Sequence, residues 1–227
     1  MRAVLFDAGN TLIYAHPGRM AEILRAAGAD TDSGRVSGAE LQARRILHEA
    51  IGQGYAGTEP EVWREYFAAI FRLAGVPEAG MAEAARLLRE VHAADHLWTH
   101  VERGTGEALQ ALALAGYRLG VISNADGRVE AVLERVGLRA HFEFVVDSEV
   151  VGIEKPDPAI FLEGCHRLDL PPGECLYVGD LYTVDYVGAT AAGLRAVLLD
   201  PVGLHDGKAP RIRTLSELPG FLSRRAL

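Results

Sequence analysis

The sequence predicts an α/β protein: a parallel sheet interleaved with helices, and a separate helical domain inserted after the first strand. Two patterns predict it. Short apolar runs bounded by turn residues alternate with stretches of helical periodicity, as in βα units. A long segment that reads almost wholly as helix then interrupts the alternation after the first run.

In chain order, Ala3–Phe6 is the first strand, apolar on both faces as a buried parallel strand must be. Three helical stretches follow, Glu40–Ile51, Glu61–Leu73 and Met81–His92, with apolar residues at three- and four-residue spacing. The Gly/Thr/Pro clusters 52–60 and 75–80 separate them. The segment Ala15–Leu97 is too long for a loop and reads as a domain of its own. Beyond it, helix Gly106–Ala115 leads to strand Arg118–Ser123, and helix Gly127–Val136 to strand Phe144–Asp147. Helix Pro158–Arg167, strand Cys175–Val178, helix Val184–Ala192 and strand Ala196–Leu199 complete the alternation. Gly116, Gly137 and Gly193 follow three of these helices, where a C-terminal cap favours glycine.

Bulk composition narrows the function. With 227 residues the chain can bury a large core without covalent staples. A net charge of −8 argues against a nucleic-acid or anionic-membrane partner. No apolar run approaches the roughly 20 residues of a membrane span, and no signal-peptide apolar region fits the N-terminus. Cys165 and Cys175 are too few for a disulfide framework and read as two reduced thiols. A cytoplasmic protein is expected. Only two lysines occur, Lys155 and Lys208.

Ligands of open parallel sheets bind at the carboxyl ends of the strands, and polar residues gather at those ends here. Asp7-Ala8-Gly9-Asn10-Thr11 follows the first strand, Ser123-Asn124 ends the second, and Gly179-Asp180 with Asp185 ends a later one. Glu154-Lys155-Pro156-Asp157 stands just before a helix. Singly, each fragment is also a common cap or turn. Together and in this order they resemble the haloacid dehalogenase superfamily, whose motifs are an Asp-x-Asp-x-Thr loop, a Ser/Thr, a Lys and a Gly-Asp-x-x-x-x-Asp.

The resemblance implies a Rossmann-like core over 1–14 and 98–227 and an inserted helical cap over 15–97. It implies hydrolysis of a small phosphorylated metabolite, with Asp7 as nucleophile through an aspartyl-phosphate. Lys155, Ser123 and the N–H groups of Ala8, Gly9 and Asn124 would bind the phosphate. Mg²⁺ would be held by Asp7, the Gly9 carbonyl and Asp180, with Asp185 holding a water on the metal or orienting Lys155. Thr11 and Asn10 would shape the loop, Asn10 being a residue that tolerates left-handed backbone.

One position departs from that pattern. The family's phosphatases carry a second Asp, the general acid, two residues after the nucleophile; here Gly9 stands there. Haloacid dehalogenases also lack that Asp, but they lack the metal-binding Gly-Asp pair as well. Phosphonate-cleaving relatives need a cap lysine, and Ala15–Leu97 contains none. A phosphatase-like enzyme with a missing or borrowed acid is expected, with a weakly active or non-catalytic binding protein as the alternative and a 2-haloacid dehalogenase behind both. His16 is a candidate borrowed acid or a solvated hinge residue. His92, His96 and His100 could line one helix face as metal ligands, or belong to a solvated hinge helix. Trp63, Tyr66 and Phe67 read as cap core, the loop Gly52–Glu61 as a specificity loop, and Arg44-Arg45 and Arg224-Arg225 as solvated surface.

Overall fold

Val4 and Leu5 expose nothing to solvent, because the first strand is covered on both faces and paired on both edges. In the computed structural model, which describes residues 1–52 and 59–224, the strands are β1 Ala3–Phe6, β2 Tyr14–Ala15, β3 Trp98–His100, β4 Arg118–Ser123, β5 Phe144–Asp147, β6 Cys175–Gly179, β7 Arg195–Leu199 and β8 Arg211–Ile212. The helices are α1 Pro17–Ala26, α2 Ser33–Gly52, α3 Pro60–Leu73, α4 Met81–Asp95, α5 Thr105–Leu114, α6 Val129–Arg135, α7 Ser148–Val151, α8 Pro158–Arg167, α9 Gly188–Ala191 and α10 Leu218–Arg224. The chain divides into two compact units, Met1–Ile13 with Val101–Leu227, and Tyr14–His100.

The first unit is a six-stranded sheet in the order β5-β4-β1-β6-β7-β8, parallel throughout. Strand order reverses at β1: the chain passes outward through β4 and β5, then returns to β6 on the other side. The carboxyl ends of β4, β1 and β6 are therefore neighbours at a switch point, where open sheets place their ligands. Glycine governs packing beside that point. Gly120 of β4 pairs with Phe144 of β5, and a Cβ on Gly120 would lie 2.5 Å from the Phe144 ring.

Helix α8 begins at Pro158, and its cap, Asp157, accepts the Ala159 N–H at 2.9 Å. Its Ile160 and Phe161 are wholly buried against Leu5, Ile122 and Tyr177 in the sheet's core. Strand β8 was not expected, because Arg211–Ile212 is too short to show a period. The segment expected as helix from Val184 begins instead as a π-helical turn over Tyr182–Val187, with the Tyr186 N–H reaching the Leu181 carbonyl. Cys165 and Cys175 are free and buried.

The second unit holds α1 to α4 and the antiparallel pair β2–β3. Trp63, Tyr66, Phe67, Phe71 and Trp98 form a chain of ring contacts within it. Arg44 corrects the sequence reading. It is buried rather than solvated, paired to Glu40 at 2.7 Å and lying over the Tyr14 ring, while Tyr66 donates to the same Glu40 carboxylate. Arg45 is exposed as expected. The histidines also differ from expectation. Helix α4 ends at Asp95, His96 adopts φ 44, and His100 lies in β3, so the three share no helix face. His92 and His96 use Nδ1 to accept the Leu97 and Trp98 N–H groups. His16 caps α1 through the Arg19 N–H. Most of the loop Gly52–Glu61 and Arg225 lie outside the described residues. No described helix is long and apolar enough to cross a membrane.

Replacing Gly120 by Ala should lower unfolding free energy by about 1–3 kcal/mol, the usual cost of overpacking a core. Urea titration checks this, and an unchanged midpoint would mean that the Phe144 ring yields freely.

Candidate active site

Three strand ends deliver the polar residues. Asp7 leaves β1 with its N–H on the Val178 carbonyl of β6, which fixes the start of the loop. The Ala8 carbonyl then accepts the N–H groups of Thr11, Leu12 and Ile13, folding the loop tightly back. Asn10 takes φ 53 within it, a left-handed conformation that Asn adopts more readily than most residues. Gly9 is not left-handed, and a Cβ built on it meets nothing within 4 Å.

Lys155 is the centre of the cluster. Its Nζ donates to Asp7 Oδ1 at 2.7 Å, to Asp185 Oδ1 at 2.7 Å and to the Tyr177 hydroxyl at 3.0 Å. All four side chains are buried. The Ser123 hydroxyl donates to the same Asp7 oxygen at 3.2 Å. Asp185 is fixed a second time, accepting the Leu181 N–H at 2.9 Å. A Cβ on Gly179 would fall 2.4 Å from the Asp185 carboxyl carbon, so glycine is required where that carboxylate folds back on its strand. Carboxylate oxygens of Asp7, Asp180 and Asp185 come within 4.8 Å of one another, a grouping able to hold a cation.

Burial dominates the electrostatics. It pushes the Asp7 carboxyl up to about 6, assisted by the Asp185 charge and opposed by Lys155 and the Ala8 amide. Burial alone would lower the Lys155 ammonium, but Asp185 and Asp7 together hold it well above its ordinary value. Lysine therefore stays charged, and Asp7 is the group whose charge is costly.

The structure brings together Asp7, Ser123, Lys155, Asp180 and Asp185. Asn124 contributes in a way not anticipated: its side chain accepts the Lys155 N–H at 2.8 Å and donates to the Lys155 carbonyl at 2.9 Å, clamping that residue's backbone. Tyr177 was missed altogether, since a tyrosine inside an apolar strand reads as core. Asp200, at the end of β7, looks like a further site acid. Its carboxylate is instead spent on the N–H groups of Gly203, Leu204 and His205. Those bonds outweigh burial and hold its pKa down.

Comparison with known proteins agrees with this architecture. A family model described as haloacid dehalogenase-like hydrolase matches residues 1–193. The mouse haloacid dehalogenase-like hydrolase domain-containing protein 3 is 36% identical over 206 residues, covering 88% of this chain and 82% of that protein. Ribulose-1,5-bisphosphate 5-phosphatase of Halopiger xanaduensis is 32% identical over 230 residues, covering 95% and 91%. Among solved structures, the crystal structure of a HAD phosphatase from Thermococcus onnurineus aligns over 100% of both chains, with a TM-score of 0.64 and 27% identity.

Lys155→Met should leave two buried carboxylates without their counter-ion and cost about 3–5 kcal/mol at neutral pH. The deficit should shrink as pH falls. Asp7 in the fold already titrates near 6, above its unfolded value, and loss of Lys155 raises it further, so the folded variant gains protons that the unfolded chain does not. Urea titrations at about pH 7.5 and about pH 5 compare the two conditions. An equal deficit at both would place the damage elsewhere.

Proposed function

The chain belongs to the haloacid dehalogenase-like hydrolases, and we propose that it is a Mg²⁺-dependent phosphatase of a small phosphorylated metabolite, with Asp7 as nucleophile. The observation that carries this reading is the buried cluster of Asp7, Asp180 and Asp185, with the Lys155 ammonium bonded to the first and the last. Three carboxylates set against one cation leave an excess of buried negative charge, which a divalent ion relieves. Oxygen-only donors suit Mg²⁺ rather than a thiophilic metal. Asp7, Asp180 and the Gly9 carbonyl are the proposed protein ligands. When bound, the ion supplies the positive charge that lets a phosphate dianion approach a carboxylate.

The remaining chemistry belongs to the chain. The Asp7 carboxylate attacks phosphorus, the bond to the ester oxygen breaks, and an aspartyl-phosphate forms. Lys155 and Ser123, whose donors converge on one oxygen of Asp7, supply charge and a hydrogen bond to the phosphoryl oxygens as negative charge shifts. The N–H groups of Ala8, Gly9 and Asn124 are proposed as further donors. Water then cleaves the acyl phosphate, releasing inorganic phosphate and restoring Asp7. The unit Tyr14–His100 is proposed as the family's cap and the carrier of selectivity. Gly9 leaves the departing oxygen without a nearby acid, so the reaction should favour leaving groups that need no proton. A binding protein on the same scaffold is the second reading, favoured by Gly9 alone.

Hydrolysis of an aryl phosphate such as p-nitrophenyl phosphate should require Mg²⁺, stop in EDTA and vanish in Asp7→Asn with the fold intact by circular dichroism. Turnover by Asp7→Asn would refute the covalent route, and no turnover by the wild type would favour the binding protein.

Gly9→Asp starts from an unstrained position, since a Cβ there meets nothing within 4 Å and the backbone is not left-handed. It should accelerate alkyl phosphates by about 10²-fold while changing aryl phosphates little. A wild type that already cleaves both at equal rates would contradict the missing acid.

A further inference from the structure

Tyr177 lies on β6 with no exposed surface, its ring edge-on to Phe161 at 4.9 Å. Phenylalanine would fill the same space, and a buried hydroxyl is unfavourable unless both its functions are satisfied. Here both are. The hydroxyl donates to the Ile122 carbonyl at 2.8 Å and accepts from Lys155 Nζ at 3.0 Å. Because its proton is committed to Ile122, its lone pair faces the ammonium in one fixed direction. Burial pushes the phenol well above its ordinary pKa, so it stays a donor to Ile122.

An ammonium has three N–H bonds, and those of Lys155 go to Asp7, Asp185 and Tyr177. The three acceptors have different obligations. Asp7 must give up its share to act as nucleophile, whereas Asp185 is held by the Leu181 N–H and Tyr177 by Ile122. We propose that Tyr177 is a positioning residue for phosphate binding: with Asp185 it anchors Lys155 Nζ, so that the remaining N–H passes from Asp7 to a phosphoryl oxygen without the ammonium moving. The hydroxyl also ties that anchor to the carbonyl preceding Ser123, the other side-chain donor. This inference rests on the reading of Lys155 as the phosphate's cation.

Tyr177→Phe keeps the ring and removes only the anchor. Titration calorimetry with inorganic phosphate, in Mg²⁺, should show affinity reduced by about tenfold, the scale of a lost hydrogen bond to a charged group. Mg²⁺ affinity, titrated separately, should stay unchanged. The two lysines allow a second readout independent of turnover. In protein labelled at the lysine side chains, NMR should show the Lys155 signal shifted or broadened in Tyr177→Phe and the Lys208 signal unmoved. Unchanged phosphate affinity, an unmoved Lys155 signal, or a joint fall in phosphate and Mg²⁺ affinity would each overturn the proposal. Lys155→Met separates it from the reading beneath: phosphate binding that survives that substitution refutes the role of Lys155 itself. Binding lost in Lys155→Met but intact in Tyr177→Phe refutes Tyr177 alone.

Discussion

One ammonium group holds this site together. Lys155 stands between β1 and the turn after β6, and its three hydrogen bonds join the buried side chains of Asp7, Asp185 and Tyr177. Buried carboxylates this close repel one another and resist desolvation, so a cation among them is what keeps them ionised. Much of the local architecture serves that contact. Asn124 clamps the lysine backbone, the absent side chain of Gly179 admits Asp185, and the π-helical turn sets the spacing from Asp180 to Asp185. With one other lysine in the chain, none of this charge is easily replaced.

The residues legible in the sequence were those at strand ends. Asp7, Ser123, Asp180 and Asp185 interrupt or follow apolar runs; each alone is an ordinary cap or turn residue, but their joint order sets them apart, and Lys155 is conspicuous by rarity. Five of the six core strands were legible for the same reason, since burial on both faces leaves an unbroken apolar word. What escaped was hidden by the same rule. Tyr177 sits in mid-strand, where an aromatic is ordinary core, and its role depends on a hydroxyl whose partners are far apart in sequence. Arg44 looked like surface because it stands beside another arginine, but α2 turns the first inward to Glu40 and leaves the second exposed. Strand β8 and the pair β2–β3 are too short for periodicity, and their pairing is decided by partners distant in the chain.

The loop around Gly9 is held by its backbone rather than by a side chain at that position. The loop that carries it is fully formed, with three N–H groups on the Ala8 carbonyl and Asn10 in its left-handed turn. Its geometry therefore does not depend on an acid at that position. A Cβ at Gly9 would meet nothing within 4 Å, so no packing contact at that atom dictates glycine there.

The short pair β2–β3 has a consequence for how such chains diversify. Tyr14 lies opposite His100 and Ala15 opposite Trp98, so the helical unit begins and ends on paired, antiparallel strands. Backbones paired this way run about 5 Å apart, and a segment whose ends meet so closely can be exchanged for another with little cost in loop closure. Genetic insertion needs only that both junctions be kept. Everything between Ala15 and Trp98 can therefore change in length and content while the order of strands in the six-stranded sheet stays as it is.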